Sequence, residues 1–195
     1  MRAGPPAALF LAAAGWFLAQ PSLAQDDAAT RAMAQPCFAC HGENGSSTNP
    51  RYPVLAGQSW RYLYIELKDF QEKRRSDPEM SPMAAPLTRE QQIALANFFA
   101  AQKPKPLAYK PDPARADKGR KVAEATLCSM CHLGEFRGQN EIPRVAGQWP
   151  QYVSKQLHAF KDKTRTNDAG NMTSVAGTLS DDDIENLANY IGTLD

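Results

Sequence analysis

The chain lacks a surplus of either charge. Its 22 Lys and Arg stand against 21 Asp and Glu, which leaves no general attraction for nucleic acid or another polyanion. Downstream of Ala24 no apolar run approaches the roughly 20 residues needed to cross a bilayer. Alternating strand patterns are almost missing. Histidine and cysteine are scarce, at three and four residues. The exception to this sparseness is proline, with 15 residues, a count that predicts long loops or a linker. A length of 195 residues admits one or two small domains. All four cysteines fall into two pairs, and each pair is followed at once by a histidine.

The N-terminus reads as a leader. Arg2 is followed by an apolar run from Ala7 to Ala19, and Ser22 and Ala24 are the small residues of an export cleavage site, so residues 1–24 are expected to be removed after Ala24. The run is too short for a retained span. The remaining 171 residues, from Gln25 to Asp195, carry 21 basic and 21 acidic side chains. The product is expected to be exported and free of transmembrane segments.

The chain is written twice. Leu55-Ala56-Gly57-Gln58, then Tyr62, Leu67, Phe70, Lys73 and Arg75, recur ninety positions later as Val145-Ala146-Gly147-Gln148, Tyr152, Leu157, Phe160, Lys163 and Arg165. At an offset of 92, Met80 matches Met172 and Leu95-Ala96-Asn97 matches Leu187-Ala188-Asn189. Such self-similarity predicts tandem domains, set at 25–101 and 116–195. Residues 102–115, with Pro104, Pro106, Pro111 and Pro113, read as a helix-free, semi-rigid linker.

Each repeat is patterned for helices. One is expected before each cysteine pair, at Asp26–Gln35 and Asp117–Leu127. A second is expected at Trp60–Glu72 and Tyr152–Lys161, where apolar residues recur at helical spacing. A closing helix starts in each repeat at a capping box, Thr88-x-x-Gln91 or Ser180-x-x-Asp183. The fold class is expected to be all-α, with irregular loops around whatever occupies each centre.

The cysteine motifs are Cys37-Phe38-Ala39-Cys40-His41 and Cys128-Ser129-Met130-Cys131-His132. A thioredoxin-like redox pair would lie near a βαβ pattern, and none is visible. A zinc site would need four well-placed S or N ligands, which neither repeat offers. Covalent haem attachment remains: two thioethers to the porphyrin, with His41 or His132 turning beneath the ring to ligate the iron. Only His158 is left over, so two bis-His irons cannot be made. The repeat offers Met80 and Met172 as sixth ligands, with Met83 the alternative in the first domain. The null role for these methionines is packing.

At these residues the chain resembles the diheme cytochrome c4 family, two class I cytochrome c domains in one periplasmic chain. The resemblance rests on Cys37–Gly42, Tyr52-Pro53-Val54-Leu55-Ala56-Gly57-Gln58, the Met80 loop, the closing helix and their counterparts. It implies that Pro53 and Pro143 supply carbonyls to the proximal histidines, that Gly119 lets a first helix pack on a last one, and that the domains meet about a pseudo-twofold axis. Ala28 in place of Gly, Leu133 after His132, and the loop Gly134–Ile142 depart from the family pattern. Arg75, Arg165, Tyr62, Tyr152, Gln58 and Gln148 are candidates for bonds to haem propionates. The competing role is helix-surface solvation for the arginines and packing for the tyrosines.

With both irons closed by His and Met, no position is open to substrate, and outer-sphere electron transfer remains. The expected role is a periplasmic carrier between a quinol-cytochrome c oxidoreductase or dehydrogenase and a terminal oxidase or reductase, with peripheral membrane association left open. The rival readings are a haem subunit of a larger oxidoreductase, and a diheme peroxidase or sulfur-compound enzyme. Four propionates on two haem c groups would make the mature particle net negative.

Overall fold

The computed structural model of the chain describes Met1 and residues 23–195, with side chains described from Ala28 onward. The expected leader at 1–24 lies, apart from its ends, outside the described residues. Ten α-helices are described: α1 (Leu23–His41), α2 (Trp60–Gln71), α3 (Met80–Ala84), α4 (Arg89–Ala100), α5 (Pro113–Ala125), α6 (Cys128–Cys131), α7 (Leu133–Phe136), α8 (Pro150–Lys161), α9 (Asn171–Gly177) and α10 (Asp181–Ile191). A single isolated bridge, Gln139 to Ile142, is the only β feature among the described residues. The chain is all-α.

Local chemistry explains where the helices begin. Thr88 and Ser180 each accept from the backbone N–H three residues on, and Gln91 and Asp183 accept back from the cap N–H, so both capping boxes form. Ser59 caps α2 through the N–H of Tyr62. Two helix boundaries differ from the expected ones by four residues or more. The first helix does not stop before Pro36 but runs to His41; proline removes one ladder bond, and the turn beyond it closes with Gly42 N–H on the Phe38 carbonyl at 3.0 Å. The second, α5, starts at Pro113, inside the stretch expected to be helix-free. Pro113 sits in the first turn, where its missing N–H would have been unpaired anyway, and the Asp112 side chain accepts from Ala114 and Arg115 N–H groups.

Each repeat builds its own core. Ala34, Leu63, Leu95, Phe98 and Phe99 fill the first; Ala123, Phe136, Leu157, Ile184 and Leu187 fill the second. In the second repeat α5 lies directly on α10, and the contact depends on Gly119, as the resemblance implies: a Cβ there would stand 2.0 Å from the Asn186 carbonyl oxygen. A third apolar cluster, Val54, Ala56 and Trp149, joins the repeats and is covered by Leu107 and Tyr109. The proline-rich segment is thus packed against both halves rather than spanning open solvent.

The loop Gly134–Ile142 departs from its counterpart while keeping its task. In the first repeat the Gly45 carbonyl accepts from Leu55 and Ala56 N–H groups; in the second the Phe136 carbonyl accepts from Val145 and Ala146. Both residues have positive φ, 80° for Gly45 and 68° for Phe136. For Phe that conformation costs on the order of 1–2 kcal/mol, offset by burial of its ring against Tyr190 at 5.9 Å between centroids.

Candidate functional site

The first motif lies on the last turn of α1, and the second forms the short helix α6 that ends at His132. None of the four cysteines is paired in a disulfide; Cys37 and Cys128 are partly buried, Cys40 and Cys131 exposed. One helical turn therefore carries a pair of thiols and delivers the following histidine inward. His41 and His132 are both buried. Each ring nitrogen Nδ1 lies 2.9 Å from a proline carbonyl, His41 on Pro53 and His132 on Pro143. A carbonyl only accepts, so Nδ1 carries the proton and Nε2 keeps its lone pair. Burial pushes both imidazoles down, with the carbonyl bond opposing, which favours the neutral ligand form.

This donor set fits a haem. Four cysteines outside any disulfide stand in two pairs suited to thioethers, two imidazoles are fixed in one tautomer, and no cluster of three or more His, Cys, Asp or Glu that could hold a bare metal ion occurs among the described residues. Met80 opens α3 and is partly buried, its N–H bonded to the Asp77 carboxylate at 3.1 Å. The neighbouring Glu79 carboxylate meets Arg51 at 2.6 Å and Tyr52 at 3.4 Å, and the Tyr52 ring stands 6.2 Å from that of His41. The Met80 turn is thereby tied to the residues around His41. Met83, by contrast, is 46% exposed. Met172 is partly buried and packs on the second core. His158 faces Asp181 on the surface of α8, 3.9 Å away.

The six aligned residues considered for propionate contacts meet in the seam between the repeats. Gln58 donates to the Arg144 carbonyl at 2.8 Å and accepts from Arg144 N–H at 2.7 Å. Gln148 does the same to Val54, at 3.0 and 2.8 Å. Arg75 donates to Tyr152 at 3.1 Å and Arg165 to Tyr62 at 3.2 Å. Each arginine also lies over its own repeat's phenylalanine, Arg75 on Phe70 at 4.6 Å and Arg165 on Phe160 at 4.5 Å. Every contact in this set has its mirror image about a pseudo-twofold axis.

Glu66 and Gln156 occupy equivalent positions on that axis and are not identical. Both arginines bond the Glu66 carboxylate, Arg165 at 2.6 Å, and both donate to Gln156 at 2.8 Å. The arginine side chains are 10% and 8% exposed and that of Glu66 10%, so surface solvation is not their role. Burial alone would push the Glu66 carboxyl up, but the two guanidiniums outweigh it and hold it below the usual carboxylate range. Tyr62 is pushed up to about 12, first by burial and then by Glu66. Asn167 adds bonds to Glu66 and Asp69 across the seam.

The resemblance implied that the domains meet about a pseudo-twofold axis, but sequence reasoning missed which residues form the seam. Its signal was in the repeat: polar residues kept in both copies face either a cofactor or the other copy, and only the fold decides between them. It also missed Ser59 and Arg61, which reach the unusual loop of the other repeat at Asn140 and Glu141, and Trp149, whose indole donates to the Ser47 carbonyl at 3.0 Å.

Comparisons with known proteins point to one family. The family model Cytochrome c matches twice, over residues 27–103 and 116–195. Cytochrome c4 of Azotobacter vinelandii is 37% identical over 186 residues, covering 86% of this chain and 89% of that protein. The crystal structure of reduced cytochrome c4 from Pseudomonas stutzeri superposes with a TM-score of 0.81 at 34% identity, covering 87% of this chain and 98% of the other. A protein of Thiomonas intermedia named thiosulfate dehydrogenase electron acceptor is 35% identical, covering 94% of this chain and 85% of its own.

Proposed function

The chain belongs to the cytochrome c family, in its diheme c4 branch, and from that premise we propose that it is a periplasmic carrier passing single electrons between redox proteins. It holds two covalently bound haem c groups. The observation that carries the proposal is the matched pair of buried histidines behind Cys-x-x-Cys, each fixed at Nδ1 by a proline carbonyl at 2.9 Å.

Cys37 and Cys40, and Cys128 and Cys131, are the attachment thiols. His41 and His132 are the proximal ligands, with Pro53 and Pro143 holding their tautomer and raising their basicity. Met80 and Met172 would supply the other protein ligand to each iron. Each haem supplies an iron that accepts and returns one electron. The chain's part is to close both coordination positions, keep water from the iron, and hold the two units, taken as 25–101 and 116–195, in fixed register. Arg75 and Arg165 share one carboxylate between two cations, which leaves one positive charge to neutralise a propionate. The donor is assigned to a quinol-cytochrome c oxidoreductase or a dehydrogenase, and the acceptor to a terminal oxidase or reductase. Export follows from the leader-like residues 1–24.

A second reading, an electron-accepting partner dedicated to one dehydrogenase, is favoured by the Thiomonas relative's name. Optical spectra with a carbon monoxide challenge test the carrier reading. The wild-type protein is expected to show a Met-to-iron band in the near red and to bind no carbon monoxide. Met80→Ala should open one haem and Met172→Ala the other, while Met83→Ala leaves both closed. Ready binding to the wild type overturns the closed-site carrier. Equally fast reduction by unrelated donors would remove the dedicated-partner reading.

A further inference from the structure

Each proximal loop is held from the other half of the molecule. The Pro53 carbonyl that fixes His41 is followed by Val54, and both backbone groups of Val54 are bonded by the Gln148 side chain, at 2.8 and 3.0 Å. The Pro143 carbonyl that fixes His132 is followed by Arg144, and both of its backbone groups are bonded by Gln58, at 2.7 and 2.8 Å. Both glutamine residues are 7% exposed. A primary amide offers one donor and one acceptor edge, matching the two edges of a single residue's backbone. Such a bond pair fixes the position and the rotation of the peptide plane on either side. Since the Pro53 carbonyl belongs to the peptide that also contains Val54 N–H, Gln148 orients the very plane that His41 bonds, and Gln58 does so for His132.

We propose that Gln148 and Gln58 are crosswise positioning residues: each orients the proximal histidine of the opposite domain and so helps set that domain's haem environment. The inference rests on the assignment of His41 and His132 as proximal ligands. No ligation is altered by it; the glutamines touch neither the histidines nor the thiols.

Gln148→Met and Gln58→Met keep side-chain length and remove the bonds. They are examined in the fully haem-loaded protein by amide hydrogen exchange and by redox titration, with the two haems told apart by their axial-methionine proton resonances. In Gln148→Met the Val54 amide is expected to exchange about tenfold faster, the effect of losing one well-made buried bond, and the potential of the His41 haem should shift more than that of the His132 haem. Gln58→Met should give the mirror pattern, with the Arg144 amide and the His132 haem affected. Equal shifts at both haems, a larger shift in the variant's own domain, or unchanged potentials would overturn the proposal. Where a Met variant does not load haem, Gln→Glu at the same position keeps the acceptor for the backbone N–H and is required to retain that amide's protection; loss of protection there counts against the proposal. Wild-type spectra test the ligand assignment separately, so its failure is distinguishable from the failure of the crosswise effect.

Discussion

Glu66 stabilises the seam only while it is charged, because its partners are two permanent cations. Its folded carboxyl lies below the 4.5 of an unperturbed glutamate. A depressed value contributes stability that is fully present above the unfolded value and is lost as pH falls through the folded one. Glu66→Gln is therefore expected to lower unfolding stability at pH 7 by about 3 kcal/mol, the scale for leaving buried charge unpaired. The gap between variant and wild type should narrow as pH drops below about 4.5. Denaturant unfolding at several pH values checks both, and a gap that stays constant with pH would assign the effect to packing. The motif residues Cys37, Cys40, His41, Cys128, Cys131 and His132 were legible in the sequence because haem attachment needs them at fixed adjacent spacing. Glu66 was not: it sits among apolar residues of an amphipathic helix, its partner Arg165 is 99 positions away, and its repeat equivalent is a glutamine.

Helix starts were legible where their chemistry is local. Both capping boxes lie within four residues of sequence and form as read. Thr88→Ala and Ser180→Ala should each cost about 1 kcal/mol, measured as a fall in midpoint of holoprotein unfolding. The start of α5 was equally local, an Asp before a Pro, but the density of prolines around it pointed to extended chain. Tight helix contacts leave no local mark, since a glycine's neighbour across a contact is distant in sequence, and Gly119 was singled out only through the family resemblance. Gly119→Ala would drive a Cβ to 2.0 Å from the Asn186 carbonyl, and backbone cannot rotate away as a side chain can. Separation of α5 from α10 is expected to cost about 2–3 kcal/mol, with the loss confined to the second repeat in hydrogen exchange. Protection unchanged in α10 would show that the contact relaxes freely.

At the scale of the molecule, the near-balance of charge predicts how partners arrive. The side chains of residues 25–195 balance at 21 basic and 21 acidic, so only the haem propionates add net charge; with so modest a charge long-range steering is weak, and association with a redox partner should change little in rate between low and physiological salt. A steep fall in stopped-flow on-rate would place docking on a local charged patch instead. Tandem architecture was readable from the offset of ninety residues, but the offset alone does not show how the halves meet, because self-similarity counts copies without orienting them; the pseudo-twofold arrangement came only from the family resemblance, and the contacts within it from neither. The orientation sets position 66 and its counterpart, 156, on the same two arginines. In a dimer of identical half-chains both positions would carry the same residue, so the arginines would meet two carboxylates or none. Joining the halves into one polypeptide lifts that constraint: the chain keeps glutamate in one copy and glutamine in the other, and a single charge sits where symmetry would forbid it. Carrying both halves on one chain does more than tether two carriers. It permits the seam an arrangement of charge that no pair of separate, identical subunits can reach.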